Sequence, residues 1–422
     1  MRKYVMVLSA FLCMSCISCN CFAQSKSVQQ PTTDADIIER INQHRPLRNA
    51  HIPKQIHQQL GATHVAGKYF FSEEPYLIEG CKSLYKLGFG VIKLWFRKDG
   101  GGYPYHSNWQ IPKNISLTAL AQHPYWKEAF EVPFSTFALS VDGAGVNTTN
   151  VSAAAEETEL YELCCYLFQT YHDRKVNFII HNWEGDWMMR GGTGNSARWS
   201  RKPGERIDAV DGVRYSVGIP ADSADRINAM IKWFKSRQSA VSRARERFPN
   251  ATCKIYHAIE ANKVMDSREG IPGIVNRVLP EVETDMVSWS CYDGMDSTGL
   301  ALYKGIQYIQ AQMRPTPYMK GKKEVFLGEI GIPEQRYAGL MEKDPVINRW
   351  DAYMGVILAL KISYLIQWEL YCNEPKDESL RKLNDTRKKD EMRGFWLIRP
   401  DSTLSFAGTY FTKLLQKAKA TK

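Results

Sequence analysis

Two glutamates that could act as a catalytic pair stand at the ends of separate apolar runs. Glu184 follows the run 176–182, and Glu329 closes the run 324–329. A protonated carboxyl beside an ionised one can cleave a glycosidic bond, because the acid assists the leaving group while the carboxylate attacks the anomeric carbon. Asp186, two residues after Glu184, is an alternative proton donor. This chemistry requires a fold that brings the two runs together.

The order of apolar runs predicts such a fold. Short runs rich in β-branched and aromatic residues predict buried strands at 63–70, 89–96, 134–141, 176–182, 252–259, 284–291, 324–329 and 363–369. Apolar residues three and four apart predict helices near 74–87, 116–130, 155–173, 222–247, 268–280, 298–313, 345–361 and 405–418. This alternation predicts an α/β protein with a single-domain (β/α)8 TIM barrel over residues 61–422. No GxGxxG follows the first strand, which disfavours a doubly wound sheet.

The carboxyl ends of barrel strands are where active sites are built. Long βα loops are predicted on this face after strand 2 (97–115) and after strand 4 (185–221). Tyr292 and Trp368 follow strands 6 and 8 and could line a sugar site, because aromatic faces bind the apolar faces of sugar rings. Trp95, Trp109, Trp187 and Trp199 are further candidate platforms, for each of which packing is an equal alternative.

These motifs, as an ordered set over roughly residues 62–415, resemble clan A of the glycoside hydrolases, which are retaining (β/α)8 enzymes. Gly328-Glu329-Ile330-Gly331 resembles the strand 7 signature of the clan. The resemblance implies that Glu329 is the nucleophile, Glu184 the acid/base, Trp368 a sugar platform and Tyr292 a hydrogen-bond donor to the nucleophile. Residues 394–401 resemble the hairpin that often follows strand 8. The motifs identify no family within the clan.

Two positions depart from the clan pattern. The clan places Asn directly before the acid/base Glu, whereas Trp183 separates Asn182 from Glu184 here. Alternation would put Asn182 and Glu184 on one strand face, and a bend or bulge could restore the usual placement. The resemblance assigns Asn182 to the sugar 2-hydroxyl. Ser290 occupies the position where the clan commonly has His.

The N-terminus has the three-part layout of a secretory signal peptide. Arg2 and Lys3 precede an apolar stretch, and 21–23 (CFA) offers small residues for cleavage before Gln24. The stretch is too short to span a bilayer. We predict a signal peptide at 1–23, an N-terminal extension at 24–60 and an exported protein. Lipid anchoring is an open alternative, since cysteines crowd the leader. The six remaining cysteines are expected to be buried thiols.

Composition and charge limit the class of protein and the kinds of partner that it could bind. With 44% apolar and 24% charged residues, the chain is not disordered, collagenous or a coiled coil. The formal charge of +10 falls to +8 without the leader. A possible anionic polysaccharide partner is suggested by five arginines of the 185–221 loop, although a solvated loop is the plainer interpretation. These are Arg190, Arg198, Arg201, Arg206 and Arg214. Nucleic acid is disfavoured by export and by the absence of a recognisable module.

Other strand-end residues have plainer roles. Glu260 and Asp142 could line the cleft, but binding or structural roles are expected for both. Glu369 is expected to point away from Trp368 by strand alternation. His181 and His257 raise a metal-dependent alternative, which is disfavoured without HxH or HExxH. We therefore predict a cofactor-free, exported, retaining glycoside hydrolase acting on a polysaccharide or oligosaccharide. The rival hypothesis is a non-catalytic carbohydrate-binding barrel, and the oligomeric state is open.

Overall fold

The computed structural model describes residues 33–49, 52–141, 152–206, 214–336, 339–381 and 385–420. The predicted signal peptide and Asp142 lie outside the described residues. None of the helices in these ranges is long and apolar enough to cross a membrane.

A closed barrel of eight parallel strands forms the centre of the protein, and each strand pairs with its neighbours in chain order. The strands are β1 (Leu60–His64), β2 (Val91–Phe96), β3 (Thr136–Val141), β4 (Asn177–His181), β5 (Lys254–Ala261), β6 (Met286–Ser290), β7 (Glu324–Ile330) and β8 (Leu365–Gln367). Nearly all of their side chains are buried, as expected for strands covered on both faces. The predicted (β/α)8 TIM barrel is confirmed.

Helices surround this barrel. They are α1 (Asp34–Gln43), α2 (Tyr76–Lys86), α3 (Leu117–Ala121), α4 (Pro124–Glu131), α5 (Ala153–Thr170), α6 (Gly185–Arg190), α7 (Ser223–Arg247), α8 (Val264–Arg268), α9 (Leu300–Gln312), α10 (Lys343–Leu360) and α11 (Phe406–Ala420). The predicted 116–130 helix is two helices, because Pro124 begins a new one.

Two predicted elements were wrong. Strand 1 was placed at 63–70, but β1 ends at His64 and Ala66 has a positive φ of 50°. Gly61 lowers the number of apolar residues in the true strand, so the strand was missed. Glycine is needed at this position, because a Cβ there would lie 2.8 Å from the Val91 backbone. The helix predicted at 268–280 is also wrong. The chain leaves α8 through Gly270, at φ 85°, and then forms a five-residue π-helix at Ile274–Val278 and a short 3-10 helix at Leu279–Glu281 instead of one α-helix.

The N-terminal extension packs on the barrel. Thr33 caps α1, and Ile37 and Ile41 are buried in the core. Arg45 Nε donates to Asp351 Oδ2 on α10 at 2.8 Å. The described part of the extension therefore covers the helical layer.

The long loop after β4 is a folded unit. It contains α6 and a parallel pairing of two-residue strands, Trp199–Ser200 with Val217–Gly218. Arg190 and Arg206 both donate to the Asp266 carboxylate on α8. These ion pairs join the described part of the loop to the segment after β5.

Candidate active site

Glu184 reaches the barrel mouth through a bend. β4 ends at His181, so strand alternation no longer applies to the Asn182-Trp183-Glu184 segment. Glu184 has φ 20° and ψ 75°, a backbone conformation that side-chain-bearing residues rarely adopt. This bend accounts for the extra residue that the sequence shows before the glutamate.

Contacts with the end of β5 hold the bend in place. Asn182 Oδ1 accepts the Glu260 backbone N–H at 2.9 Å, and Asn182 Nδ2 donates to Glu260 O at 3.2 Å. Nδ2 also donates to Trp183 O at 3.1 Å, which uses both of its hydrogens. Contact of Asn182 with a sugar 2-hydroxyl stays a prediction, and only the amide oxygen has capacity left for it.

Asp186 has a structural environment. Its Oδ2 accepts the N–H groups of Asn262 and Lys263 at 2.9 and 3.0 Å, and its Oδ1 accepts that of Ile274 at 2.8 Å. Three backbone bonds to a fully buried carboxylate favour a role in fastening the β4 loop. The geometry thus favours Glu184 over Asp186 as the acid.

Glu329 lies at the end of β7, between two glycines that allow close packing. A Cβ on Gly328 would lie 1.8 Å from Ser288 Oγ and 2.7 Å from Glu260 Oε2. A Cβ on Gly331 would lie 2.6 Å from Trp368 O. The Gly-Glu-Ile-Gly motif is therefore explained by crowding around the carboxylate.

Ser290 connects the two candidate catalytic carboxyls. It pairs in register with Glu329 across β6 and β7, and its Oγ donates to Glu184 Oε1 at 2.6 Å. Tyr292 OH donates to Glu329 Oε1 at 3.1 Å, as the clan resemblance implied. Glu184 and Glu329 are 9% and 5% exposed, so both lie in a largely water-excluded site.

A buried lysine and a third carboxylate complete the cluster. Lys93 Nζ, on β2, lies 3.2 Å from Glu260 Oε2 and 3.3 Å from Glu329 Oε2. It also donates to Gly328 O at 3.1 Å. Ser288 Oγ donates to Glu260 Oε2 at 2.6 Å. Lys93 and Glu260 are both completely buried, so the cation and the carboxylates compensate one another.

The environments separate the proton affinities of these groups. Burial, with repulsion from Glu329, raises the pKa of Glu184 to about 8. Burial also raises the pKa of Glu329 to about 7, with Lys93 opposing and Glu260 adding to the rise. For Glu260 burial also favours the neutral form, but Lys93 together with His181, Ser288 and the Glu184 N–H outweighs it, and the pKa of Glu260 is lowered. Glu184 is therefore the group that retains its proton to higher pH, which suits an acid beside an ionised nucleophile.

The candidate sugar platforms differ in their surroundings. Trp95 and Trp368 have ring centroids 6.5 Å apart, and Trp368 Nε1 donates to Glu374 Oε1 at 3.0 Å. The buried Trp95 Nε1 has no hydrogen-bond partner among the described residues. Trp187 lies under the Lys263 ammonium, 4.1 Å from the ring centroid. Trp109 packs on Tyr125 and His123, and Trp199 is fully buried under Arg190. Trp95, Trp187 and Trp368 remain the candidate platforms.

The loop arginines make contacts within the protein. Arg190 and Arg206 pair with Asp266, and Arg201 donates to Glu269 O. Arg198 stacks on the Tyr215 ring, and Arg214 donates to Gly204 O at 2.9 Å. These contacts favour a structural role for the arginines. Lys263, above the Trp187 ring, is then the candidate cation for binding an anionic substrate.

The remaining candidates His181 and His257 are completely buried. Burial lowers the pKa of His181 to about 4, and that of His257 well below its usual range. No group of three or more His, Cys, Asp or Glu suited to a metal occurs in the described part of the chain. The six cysteines of the described residues are free, and all but the half-buried Cys165 are buried. A cavity of about 980 Å³ lies near the start of β3 and β4, away from the candidate pair.

Lys93 and Lys263 are the site residues that sequence reasoning missed. A signal for Lys93 was present, because a lysine inside the apolar run 89–96 must be buried and therefore paired. Glu260 was expected to be structural or binding, and it lies at the centre of the cluster. Lys263 follows β5 without a comparable signal.

Comparison with known proteins gives a likeness in fold. No protein-family model and no curated protein sequence matches this chain. The AHE enzyme from Alicyclobacillus herbarius is 10% identical with a TM-score of 0.50, over 88% of this chain and 98% of that one. A modular endo-β-1,4-mannanase from Cellulomonas fimi, of glycoside hydrolase family 26, is 10% identical with a TM-score of 0.47. The match covers 91% of this chain and 74% of that one.

A further similar structure is a Bacteroidetes-affiliated family 5 cellulase linked with a polysaccharide utilization locus. It is 12% identical with a TM-score of 0.47, over 90% of this chain and 95% of that one. At such identities the likeness shows the barrel fold alone. The structures similar to this chain include glycoside hydrolases of families 26 and 5.

Proposed function

We propose that this protein is a retaining glycoside hydrolase acting on a polysaccharide or oligosaccharide. The proposal is carried by one observation. Two buried carboxyls, Glu184 and Glu329, flank Ser290 at the barrel mouth, and only Glu329 contacts a lysine and a tyrosine hydroxyl. That asymmetry supports an acid and a nucleophile rather than two equivalent groups.

The reaction proceeds by double displacement. Glu184 donates its proton to the glycosidic oxygen while Glu329 attacks the anomeric carbon, so the bond to the leaving sugar breaks as the glycosyl ester forms. Glu184, now ionised, removes a proton from water, which attacks the same carbon and releases Glu329. Lys93 and Tyr292 stabilise the carboxylate form of Glu329 before and after the cycle.

Substrate binding is assigned to the aromatic walls and to one cation. Trp95, Trp187 and Trp368 stack on sugar rings. The ammonium of Lys263, above Trp187, makes a glycan carrying carboxylate or sulfate the favoured substrate class. Export by the 1–23 leader would place the protein where such polymers occur, with a lipid-anchored form as the alternative.

The test is a panel of polysaccharides incubated with purified protein: barley β-glucan, β-mannan, xylan, alginate and polygalacturonate. We expect new reducing ends from at least one polymer, with products that first appear in the configuration of the cleaved bond. Glu329→Ala should abolish cleavage while circular dichroism stays unchanged. Binding without cleavage would instead support a carbohydrate-binding barrel, and first products of inverted configuration would contradict double displacement.

A further inference from the structure

The Glu260 side chain contacts the backbone of Glu184 and the lysine that binds Glu329. Its Oε1 accepts the backbone N–H of Glu184 at 3.1 Å. Its Oε2 accepts Ser288 Oγ at 2.6 Å and lies 3.2 Å from Lys93 Nζ, the group that also reaches Glu329. A completely buried carboxylate thus connects the acid side of the site to the nucleophile side.

We infer that Glu260 is a positioning residue that holds the acid/base loop in place and, by sharing Lys93 with Glu329, sets the pH range in which the pair acts. The inference rests on the proposed function for its catalytic meaning. The sequence motifs and the clan resemblance assign no such role to the end of β5.

The first half of the inference follows from the backbone. Glu184 has a positive φ, so its conformation must be maintained by surrounding contacts. Asn182 binds both backbone groups of Glu260, and the Glu260 side chain binds the backbone of Glu184 in return. These reciprocal bonds fasten the end of β4 to the end of β5 on both sides of Trp183.

The second half follows from charge. Lys93 supplies one positive charge between two carboxylates, and the repulsion between an ionised Glu260 and Glu329 offsets part of the stabilisation that Lys93 gives to Glu329. The charge of Glu260 also faces Glu184. Both catalytic pKa values are consequently raised by Glu260.

Other titratable groups face this cluster from every packed element. His181 on β4 lies 3.9 Å from Glu260 Oε2, and burial lowers its pKa to about 4, which leaves it neutral near pH 7. Further groups with electrostatic interactions at the cluster are Tyr292 and Cys291 after β6, Lys263 after β5 and Glu369 after β8, and Arg237 on α7 acts on His181. Lys93 lowers the pKa of Glu184 and Glu329, and the opposite charge of Glu260 raises both.

Glu260→Gln should shift both limbs of the pH profile in one direction. Replacing Glu260 by Gln removes a negative charge beside both groups, so the pKa of Glu329 and that of Glu184 fall together. The acid limb of kcat/KM, which needs ionised Glu329, and the alkaline limb, which needs protonated Glu184, should both move to lower pH. A charge within about 4–6 Å shifts a carboxyl by about one pH unit or more.

The experiment compares wild type, Glu260→Gln and Glu260→Asp on the panel polysaccharide that the wild type degrades fastest. Glu79→Gln is the matched control, since Glu79 is also buried and accepts two backbone N–H groups near α2. We expect both limbs to move to lower pH in Glu260→Gln, to return towards wild type in Glu260→Asp, and to stay in place in Glu79→Gln. Unmoved limbs in Glu260→Gln, or movement of only one limb, would overturn the inference.

A substrate-free measurement separates this inference from the proposed function. The stability difference between Glu329→Gln and its parent reports the titration of Glu329. The stability difference caused by Glu329→Gln is measured against pH in two backgrounds, wild type and Glu260→Gln. In the Glu260→Gln background the change in this difference should be complete at lower pH. An identical pH dependence in both backgrounds would contradict the inference even if no polymer is cleaved. Should Glu260→Gln fail to fold, the wild-type titration alone tests the idea, because an end near the ordinary carboxyl value of 4.5 would refute it.

Discussion

Replacing Glu329 by Gln should stabilise the folded protein at alkaline pH. The carboxyl of Glu329 has a pKa raised to about 7 by burial, against an ordinary value of 4.5. The unfolded chain therefore loses this proton first, and the free energy of unfolding falls as pH rises from about 4.5 to 7. Each pKa unit corresponds to about 1.4 kcal/mol, so the ionised site costs on the order of 3 kcal/mol above pH 7.

Gln keeps the shape of the side chain and removes this titration. Urea unfolding at pH 4.5 and pH 8 gives the stability difference between Glu329→Gln and wild type at each pH. We expect that difference to move by about 3 kcal/mol in favour of Glu329→Gln between the two conditions. Glu246→Gln, on an exposed site of α7, should show no comparable change. A Glu329→Gln difference that is equal at both pH values would refute the electrostatic reasoning.

Three further predictions concern neighbours of the pair. Tyr292→Phe removes the hydroxyl that donates to Glu329, and should lower kcat/KM by about 10- to 100-fold in steady-state assays with the fold intact. Gly328→Ala places a methyl against Ser288 and should cost about 1–3 kcal/mol in urea unfolding, whereas Gly194→Ala, with nothing within 4 Å, should be nearly neutral. Lys263→Gln should lower kcat/KM on alginate or polygalacturonate about tenfold relative to β-glucan; an equal loss on both would reject Lys263 as the anion-binding group.

The sequence was most informative about the barrel. Alternating apolar runs located seven of the strands closely, because strands buried on both faces have a continuous apolar pattern. Strand 1 was misplaced because Gly61 lowers the apolar count at a position where only glycine allows β1 to approach Val91. The 268–280 helix failed because Gly270 and Pro272 interrupt an otherwise helical pattern.

The site was predictable in part. Glu184 and Glu329 follow from the rule that barrel chemistry lies at strand ends, and Tyr292 from the motif that surrounds it. The bend at Glu184 was not predictable, because it depends on the Asn182 amide and the Glu260 carboxylate, which are about 78 residues apart in the chain. The contacts of the loop arginines with Asp266, Glu269 and Gly204 depend likewise on tertiary packing.

The central claim is that Glu329 forms a covalent glycosyl ester during turnover. A 2-deoxy-2-fluoro glycoside of the sugar released from the best panel substrate should slow the hydrolysis of this ester enough for mass spectrometry of the digested protein. We expect one added glycosyl unit on the peptide that contains Glu329, and its loss in Glu329→Gln. A label on another residue, or an unlabelled protein that still turns over the natural polymer, would contradict it.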